Sequence, residues 1–500
     1  MSVLRDERDT FVCDGQYEKG LVHILETYLK NIDQARQPAV WVSGFYGSGK
    51  SHLVKMLRAF WLDSAFDDGA TARGIASLPQ SVSDQLKELS TQAKRHGGLH
   101  AASGTLGASS RDKSVCMALL GVLFKSVGLP EQYPVARFVM WLKHEKIYDT
   151  VRQYVEKSGF NWDEELDNFY VAEGLHEALV HAKPNLFTST SSCVETLTHL
   201  YPYVQDVSSD DMLKAIRQAL TRDDKFPLTL VVLDEVQQYI GEDGQRSIDV
   251  QEVVEACCKN IGAKMLFLGT GQTAVTGTAN LKRLEGRFTV RVELSDADVD
   301  AVIRQVILAK KPEAKALVEK VMQSNLGEIS RHLTSTTIGH RPDDIPFFAQ
   351  DYPILPVRRR FWENALRVLD QTGTDSQLRN QLSMIHKVIQ TNVDEPIGSI
   401  VPADYLYFDA ADKLLQTRIL PRKVHEKTMV WIKGTDDQRL MGRACGLVFL
   451  INKLASSNNE IGIHANIDTL ADLLVEDLTL GSSALRSKLP TLLSKCDLLM

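Results

Sequence analysis

The stretch Gly44-Phe45-Tyr46-Gly47-Ser48-Gly49-Lys50-Ser51 follows the apolar run Ala39-Val40-Trp41-Val42 and precedes Leu53-Val54-Lys55-Met56-Leu57. This order predicts a strand, a glycine-rich turn and a helix. Glycines allow the backbone N–H groups to point inward, so that they and the helix N-terminus can surround a phosphate. A lysine and a hydroxyl at the end of such a loop can reach the β- and γ-phosphates and ligate Mg²⁺. The stretch therefore predicts a nucleotide-binding P-loop in an α/β fold.

The candidate nucleotide-binding residues belong to this loop and to the first turn of its helix: Gly44, Tyr46, Gly47, Ser48, Gly49, Lys50, Ser51 and His52. Lys50 is the predicted phosphate contact, and Ser51 is a predicted Mg²⁺ ligand. The predicted cofactors are ATP and Mg²⁺.

A second informative stretch is Pro227-Leu228-Thr229-Leu230-Val231-Val232-Leu233-Asp234-Glu235. A continuous apolar strand suits the buried centre of a parallel sheet, and its carboxyl end opens where nucleotide sites of such folds lie. Asp234 is the second predicted Mg²⁺ ligand, acting through water. Glu235 is predicted to orient and polarise the attacking water.

The next strand is predicted at Lys264-Met265-Leu266-Phe267-Leu268, beside the acidic one. A polar residue at its tip could reach both the γ-phosphate and the attacking water. Thr270 and Gln272 are the two candidates for this catalytic role, and the sequence does not choose between them.

Strict alternation in Phe288-Thr289-Val290-Arg291-Val292-Glu293-Leu294 predicts a half-covered strand at the sheet edge. Arg287, just before this strand, is the predicted arginine finger, which would act on the site of a neighbouring subunit. Arg283 is its rival, and Arg331 is a further phosphate-contact candidate from a predicted lid.

Composition limits the class of protein. The chain has 500 residues, 44% of them hydrophobic, and a formal net charge of −7, so any nucleic-acid contact requires a local basic patch. Its apolar runs are too short to cross a bilayer, and a charged N-terminus stands where a signal peptide would need an apolar segment, which favours the cytoplasm. The seven cysteines show no C-x-x-C spacing.

The predicted domain organisation has five parts. Residues 1–62 form the N-terminal helix and P-loop part of the core, 63–226 the remainder of the core with a helical insertion, and 227–294 the acidic, sensor and edge strands. Residues 295–435 form a helical lid with connecting helices. Residues 436–500 form a winged-helix-like region, and the apolar end of the chain suggests truncation.

Two basic segments are candidates for DNA or subunit contacts. Arg358-Arg359-Arg360 cannot share one helix face, which argues against a single phosphate clamp but leaves a DNA or inter-subunit contact open. The segment from Arg418 to Lys433 is the most basic stretch. The helical patterns that follow resemble a winged helix, a fold that either reads DNA or mediates oligomerisation.

Together, three segments resemble the BrxC (PglY) family of large P-loop ATPases from BREX bacteriophage-defence systems. They are Val42–His52, Leu233–Tyr239 with the sequence LDEVQQY, and Asp351–Trp362 with the sequence DYPILPVRRRFW. The P-loop is shared by many ATPases, whereas the other two segments make the resemblance specific. Members of this family are longer, so the chain would be an N-terminal portion.

The resemblance implies an ASCE-type, AAA+-like ATPase fold of the origin-recognition type. It also implies a cytoplasmic defence complex with other BREX proteins, including a DNA methyltransferase. We expect ATP-dependent self-assembly, with DNA as a further partner. The expected function is ATP hydrolysis that drives assembly or remodelling of this complex on DNA. A nucleotide-dependent oligomerising scaffold with little turnover and a replication-initiator-like DNA loader are the alternatives.

Overall fold

The computed structural model describes residues 5, 7, 10–44, 48–106, 113–294, 297–369, 378–457 and 461–498. The chain divides into two compact units, Met1–Asp298 and Val299–Met500.

A five-stranded parallel sheet is the centre of the first unit. Its strands are β1 (Val40–Ser43), β2 (Leu99–Thr105), β3 (Leu228–Asp234), β4 (Met265–Gly271) and β5 (Val290–Glu293). They are ordered β2-β3-β4-β1-β5. This confirms the α/β class, the strand predicted next to the acidic one and the edge position of the last strand. The register pairs Ser43 with Gly271 and Leu233 with Gly269, so the carboxyl ends of β1, β3 and β4 lie side by side.

Helices cover both faces of the sheet. The bounds in the first unit are α1 (Gly15–Asn31), α2 (Lys50–Leu62), α3 (Ala72–Ile75), α4 (Gln80–Arg95), α5 (Val115–Ser126), α6 (Tyr133–His144), α7 (Tyr148–Lys157), α8 (Trp162–Asp167), α9 (Glu173–Ala182), α10 (Thr190–Leu200), α11 (Ser209–Leu220), α12 (Val236–Ile240), α13 (Gly244–Asn260) and α14 (Ala279–Lys282). Alternate side chains of β1, β2, β3 and β4 enter different cores, as the strand period requires. Val40 and Val42 pack with α1, α2 and α4, whereas Trp41 joins the core of α5 and α13.

The predicted insertion is helical. Helices α5 to α11 stand between β2 and β3. Phe138, Phe169 and Tyr201 form mutual ring contacts in its interior, with Phe138 and Phe169 having centroids 5.0 Å apart. The insertion shares one apolar core with one face of the sheet, which makes it part of the first unit.

The second unit is helical in the part that the structure describes. Its bounds are α15 (Ala297–Val302, entered from the first unit), a π-helical turn (Ile303–Ile307), α16 (Pro312–Ser324), α17 (Leu326–Arg331), a 3₁₀ turn (Pro342–Phe347), α18 (Phe348–Asp351), α19 (Pro356–Leu369), α20 (Leu378–Thr391), α21 (Tyr405–Gln416), α22 (Arg422–Trp431), α23 (Asp436–Ser457), α24 (Ile467–Leu474) and α25 (Ser483–Leu493). One core extends from Ile303 to Leu492, so residues on both sides of the predicted 435/436 boundary contribute to it.

The last three helices, α23 to α25, confirm the three helical patterns predicted there. Within 436–457 and 461–498 the backbone forms no strand, and only Asp477 makes an isolated bridge, to Ser399. The winged-helix comparison is therefore limited to these three helices, and the domain bounds within the second unit stay predictions. None of the helices described here is long and apolar enough to cross a bilayer.

Candidate functional site

The predicted phosphate loop begins at the carboxyl end of β1 and ends at the start of α2. Phe45, Tyr46 and Gly47, the middle of the predicted loop, lie outside the described residues. Gly49 caps α2 with a left-handed backbone, at φ 85°. A Cβ at this position would overlap the hydroxyl of Tyr17, which donates a 3.0 Å hydrogen bond to the carbonyl oxygen of Ser48. Both the backbone conformation and this close approach require glycine.

Polar groups of the loop have bonding capacity that suits an anion. The Ser48 side chain is buried, and its hydroxyl finds no hydrogen-bond partner among the described residues. Lys50 donates from Nζ to the carbonyl oxygen of Gly44 at 2.6 Å. Burial lowers the pKa of Lys50, and the nearby charge of Asp234 opposes that shift. A cationic amine and an unsatisfied hydroxyl at a helix N-terminus fit a phosphate group.

Asp234 joins three elements of the site. Its Oδ2 accepts a 2.9 Å hydrogen bond from the hydroxyl of Ser51 on α2, and its Oδ1 accepts one from the hydroxyl of Thr270 on β4. The hydroxyl of Ser51 and the carboxylate of Asp234 are hard oxygen ligands of the kind that Mg²⁺ prefers. The two predicted metal ligands are thus brought together from positions 183 residues apart.

Glu235 stands at a sharp turn between β3 and α12. Its backbone is left-handed, with φ 60° and ψ 29°, and its N–H lies 3.0 Å from both Asp234 Oδ1 and Thr270 Oγ1. No hydrogen bond or ion pair to its carboxylate is present among the described residues. The turn is strained for a residue with a side chain, and its N–H contacts hold it in place. The Glu235 carboxylate is therefore positioned at the carboxyl edge of the sheet with its acceptor sites unused.

The two sensor candidates differ in position. Thr270 is 1% exposed and contacts Asp234. Gln272 is exposed, and its backbone N–H donates to the side-chain oxygen of Gln237 at 2.6 Å. Gln237 Oε1 also accepts from the N–H of Thr273 at 3.1 Å, so this side chain holds the loop after β4 against α12.

Gln237 and Tyr17 are two residues that the sequence predictions omitted. Gln237 belongs to the LDEVQQY segment, two positions after Glu235. Its closeness to Glu235 in that segment is the sequence signal that could have identified it as a site residue. Tyr17 lies one helical turn before Leu21 on the buried face of α1. The same periodicity that identified Leu21 could have included Tyr17.

His52, the last of the predicted nucleotide-binding residues, lies on α2 and packs against the ring of Phe11. Its ring centroid lies 5.5 Å from that of Phe11. Burial lowers the pKa of His52, opposed by the charge of Glu7.

The structure does not bring Arg287 to Asp234 within this chain. Its carbonyl oxygen accepts from the N–H of Ala39 at 3.0 Å, which places it at the amino-terminal edge of the sheet. Its guanidinium pairs with Glu255 on α13. Arg283 is exposed and donates to the carbonyl oxygen of Gly244 at 2.9 Å. A role in a neighbouring subunit's site stays a prediction for both arginines.

In the second unit, the three consecutive arginines of α19 are held inside the fold. Arg358 is fully buried and donates to the carbonyl oxygens of Val401, Asp472 and Val475. Arg359 pairs with Asp300 at 2.7 Å and with Asp351 at 3.1 Å, and Arg360 pairs with Asp344 at 2.7 Å. These internal bonds hold the three guanidinium groups within the fold, and the DNA or inter-subunit contact that the sequence left open for this motif stays a prediction. Arg331 likewise pairs with Glu328 and donates to the Ser482 hydroxyl at 2.7 Å.

The most basic stretch lies on and around α22. Arg422 pairs with Glu426 at 2.7 Å, and His425 contacts Asp412 at 2.9 Å. Lys423 and Lys433 are exposed.

A comparison of the whole sequence with models of protein families found no family that matches it.

Proposed function

We propose that this chain is an ATP-binding and ATP-hydrolysing P-loop ATPase of the ASCE, AAA+-like type. Its setting would be a BREX phage-defence complex in the bacterial cytoplasm, which it would assemble or remodel on DNA. The observation that carries the ATPase part is the contact between Ser51 and Asp234, since it joins the glycine-rich loop to the acidic strand. The BREX part rests on the sequence resemblance.

The residues at the carboxyl edge of the sheet have separable roles in this proposal. Lys50 would bind the β- and γ-phosphates, while Ser51 and Asp234 would hold Mg²⁺. The metal would supply charge neutralisation on the phosphates. Glu235 would accept a hydrogen bond from the attacking water and orient it. Thr270 would fix the acidic turn, because its hydroxyl contacts both Asp234 and the N–H of Glu235.

The strand order supports this division of roles. β4 lies between β1 and β3, so its tip carries Thr270 into the space between the phosphate loop and the acidic pair. Parallel strands that end together provide a crevice at their carboxyl ends, where α/β folds bind ligands. This order supports the sensor role that we propose for Thr270 on β4.

The first test is ATP binding by Lys50→Ala. Removing the amine removes a charge-assisted contact to phosphate, so ATP affinity should fall about 10- to 100-fold. Lys55→Ala is the matched control, because Lys55 is on the same helix but pairs with Glu7. Fluorescent-nucleotide titration measures both variants. Equal affinities of Lys50→Ala and the parent would reject the P-loop assignment.

The BREX setting has a separate test. We expect the chain to co-purify with the other proteins of a BREX system, including the methyltransferase, in an ATP-dependent manner. Loss of that association in Lys50→Ala, but not in Lys55→Ala, would support the proposal. Association with none of them in ATP would reject the BREX setting and leave the ATPase assignment in place.

A further inference from the structure

The amino-terminal edge of the sheet carries a row of basic residues that the ATPase proposal does not use. Because the strands are parallel, this edge is opposite to the one with the phosphate loop. Basic side chains occur before four neighbouring strands. We define the basic edge by seven residues: Lys94 and Arg95 before β2, Arg222 and Lys225 before β3, Lys264 before β4, and Lys30 and Arg36 before β1.

Backbone contacts show that these segments are contiguous. The N–H of Gly97 donates to the carbonyl oxygen of Phe226 at 3.4 Å, and a Cβ on Gly97 would lie 2.7 Å from the carbonyl oxygen of Lys225. The carbonyl oxygen of Lys264 accepts from the N–H of Thr229 and from the hydroxyl of Tyr28, each at 2.9 Å. The turns before β2, β3 and β4 and the end of α1 therefore form one surface.

The basic edge carries excess positive charge among the described residues. None of its seven residues forms an ion pair in the part of the chain that the structure describes. Three carboxylates share this surface, those of Asp33, Asp223 and Asp224, so cationic groups exceed anionic ones by seven to three. The whole chain has a formal net charge of −7, which makes this a local segregation of charge.

His96 follows Arg95 and is within range of the charges of several residues of the basic edge. Its pKa is lowered by burial first, and then by the charges of Lys264, Arg95 and Lys225, against the opposing charge of Asp33. The three cations thus act on one imidazole from three different strand starts.

We propose that the basic edge binds the phosphate backbone of double-stranded DNA. Neighbouring strands are about 4.8 Å apart, so four strand starts span about 14 Å. That distance corresponds to about four base pairs at 3.4 Å each. Lysine and arginine contacts of this kind fix a duplex without reading its sequence.

The surface chemistry favours DNA over a membrane. Among the described residues, none of the exposed large apolar side chains lies in 28–37, 93–98, 220–227 or 260–265. A membrane-binding surface would combine basic residues with apolar ones that insert. This surface would carry out the DNA binding that the proposed function includes, and its biological setting rests on that function.

The test compares two variants with the same change of charge. Arg95→Glu/Lys225→Glu alters the basic edge, while Lys423→Glu/Lys433→Glu alters the basic stretch around α22. Anisotropy of a labelled duplex of about 20 base pairs is measured between about 50 and 200 mM salt. For the edge variant we expect an affinity loss of about tenfold or more and a salt slope lower by about 2, about 1 for each phosphate contact. The α22 variant should bind within about twofold of the parent.

Unchanged ATP affinity and thermal midpoint would show that both variants fold, and Arg95→Gln/Lys225→Gln provides a milder version if the charge reversal does not fold. If the folded edge variants bind DNA as the parent does, the inference is overturned. It is also overturned if only the α22 variant loses DNA binding, because the DNA-binding surface would then lie around α22 while the proposed function would stand. A parent that binds phosphatidylserine vesicles but no DNA at any salt would overturn both the inference and the DNA clause. The ATPase assignment is judged separately, by Lys50→Ala.

Discussion

Each unit of this chain contains a sequence motif dense in charge, and the two motifs are used in different ways. In the first unit, Asp234-Glu235 ends a buried strand, and the Glu235 carboxylate has no partner among the described residues. In the second unit, Arg358-Arg359-Arg360 begins a helix, and every guanidinium is bonded to carbonyls or carboxylates of the same unit. The difference is that the fold leaves the acceptor sites of the Glu235 carboxylate unused among the described residues, whereas it uses the donors of all three arginines.

The packing around each motif explains the contrast. β3 carries Asp234 to the carboxyl edge of a parallel sheet, beside the ends of β1 and β4. Helix α19 instead begins in the interior of a helical unit, where Arg358 faces carbonyl oxygens in the last turn of α24, just after it, and before α21. A buried guanidinium can satisfy several carbonyls at once because its five N–H donors form a planar fork. Arg358 is therefore bonded within the fold, whereas the carboxylate of Glu235 has no such bond among the described residues and suits the role that we propose for it.

The largest expected effect is on ATP hydrolysis by Glu235→Gln. The amide is nearly isosteric with the carboxylate, so ATP binding through Lys50 and Ser51 should persist. Loss of the group that polarises water should slow hydrolysis by about 10² to 10⁴. Phosphate release and ATP titration on the same preparation measure the two quantities.

Glu242→Gln is the matched control, since Glu242 is exposed in the loop that follows α12. It should leave the hydrolysis rate within about twofold of the parent. If Glu235→Gln binds ATP, assembles and supports phage defence as the parent does, the scaffold alternative replaces the enzyme. The contrast between a reactive and a structural motif would then fail.

The next effect is on stability, through Arg358→Met. The substitution keeps an unbranched apolar chain but leaves three buried carbonyl oxygens without their donors, which costs about 1 to 3 kcal/mol for each unsatisfied group. We expect the free energy of unfolding to fall by about 3 kcal/mol or more. Urea titration followed by tryptophan fluorescence checks this, since Trp362 is buried three positions after Arg359.

Arg422→Met is the control because 83% of the Arg422 side chain is exposed. A surface change of this kind should stay within about 0.5 kcal/mol of the parent. Arg358→Lys should recover little stability, because an ammonium cannot reproduce the planar fork. Equal stability of Arg358→Met and the control would show that this arginine is not needed by the fold.

The sequence was most informative where the signal is local. The apolar runs at β1, β3 and β4 and the glycines of the loop predicted the α/β class and the elements of the candidate site, because buried parallel strands and tight turns have strong local preferences. The apolar spacing of Val250, Val253 and Val254 in α13 does not determine where this helix begins. The structure begins this helix at Gly244, since the Asp243 side chain accepts from the N–H of Gln245 at 2.9 Å.

What the sequence could not predict depends on residues that are far apart in the chain. Thr270 and Gln272 are equally polar, and only the pairing of β4 with β3 brings Thr270 to Asp234. The burial of Arg358 depends on carbonyl oxygens of residues 43 to 117 positions away. Periodicity places all these residues on elements, but it does not say which elements meet.

The smallest expected effect separates a satisfied carboxylate from a reactive one through its pH dependence. Glu328 is mostly buried and accepts hydrogen bonds from His332 at 3.4 Å and from the N–H of Ser482 at 3.0 Å, besides its pair with Arg331. The hydrogen bond with His332 is the leading cause that lowers the pKa of Glu328, while burial opposes the shift. A carboxylate with a lowered folded-state pKa stabilises the fold above its unfolded pKa, about 4.3, and loses that contribution as the pH falls through the folded value. Glu328→Gln cannot ionise, so it should be less stable than the parent by about 1 to 2 kcal/mol at pH 7, and the difference should shrink below about pH 4.

Thermal midpoints of both proteins at several pH values measure this difference in stability. Comparing the two proteins at each pH removes the acid sensitivity of the rest of the fold. Glu319→Gln, on the exposed side of α16, should show no gap at any pH. A gap for Glu328→Gln that stays constant or widens on acidification would mean that this carboxylate is not stabilised as an anion, and the distinction between satisfied and reactive acids would need another basis.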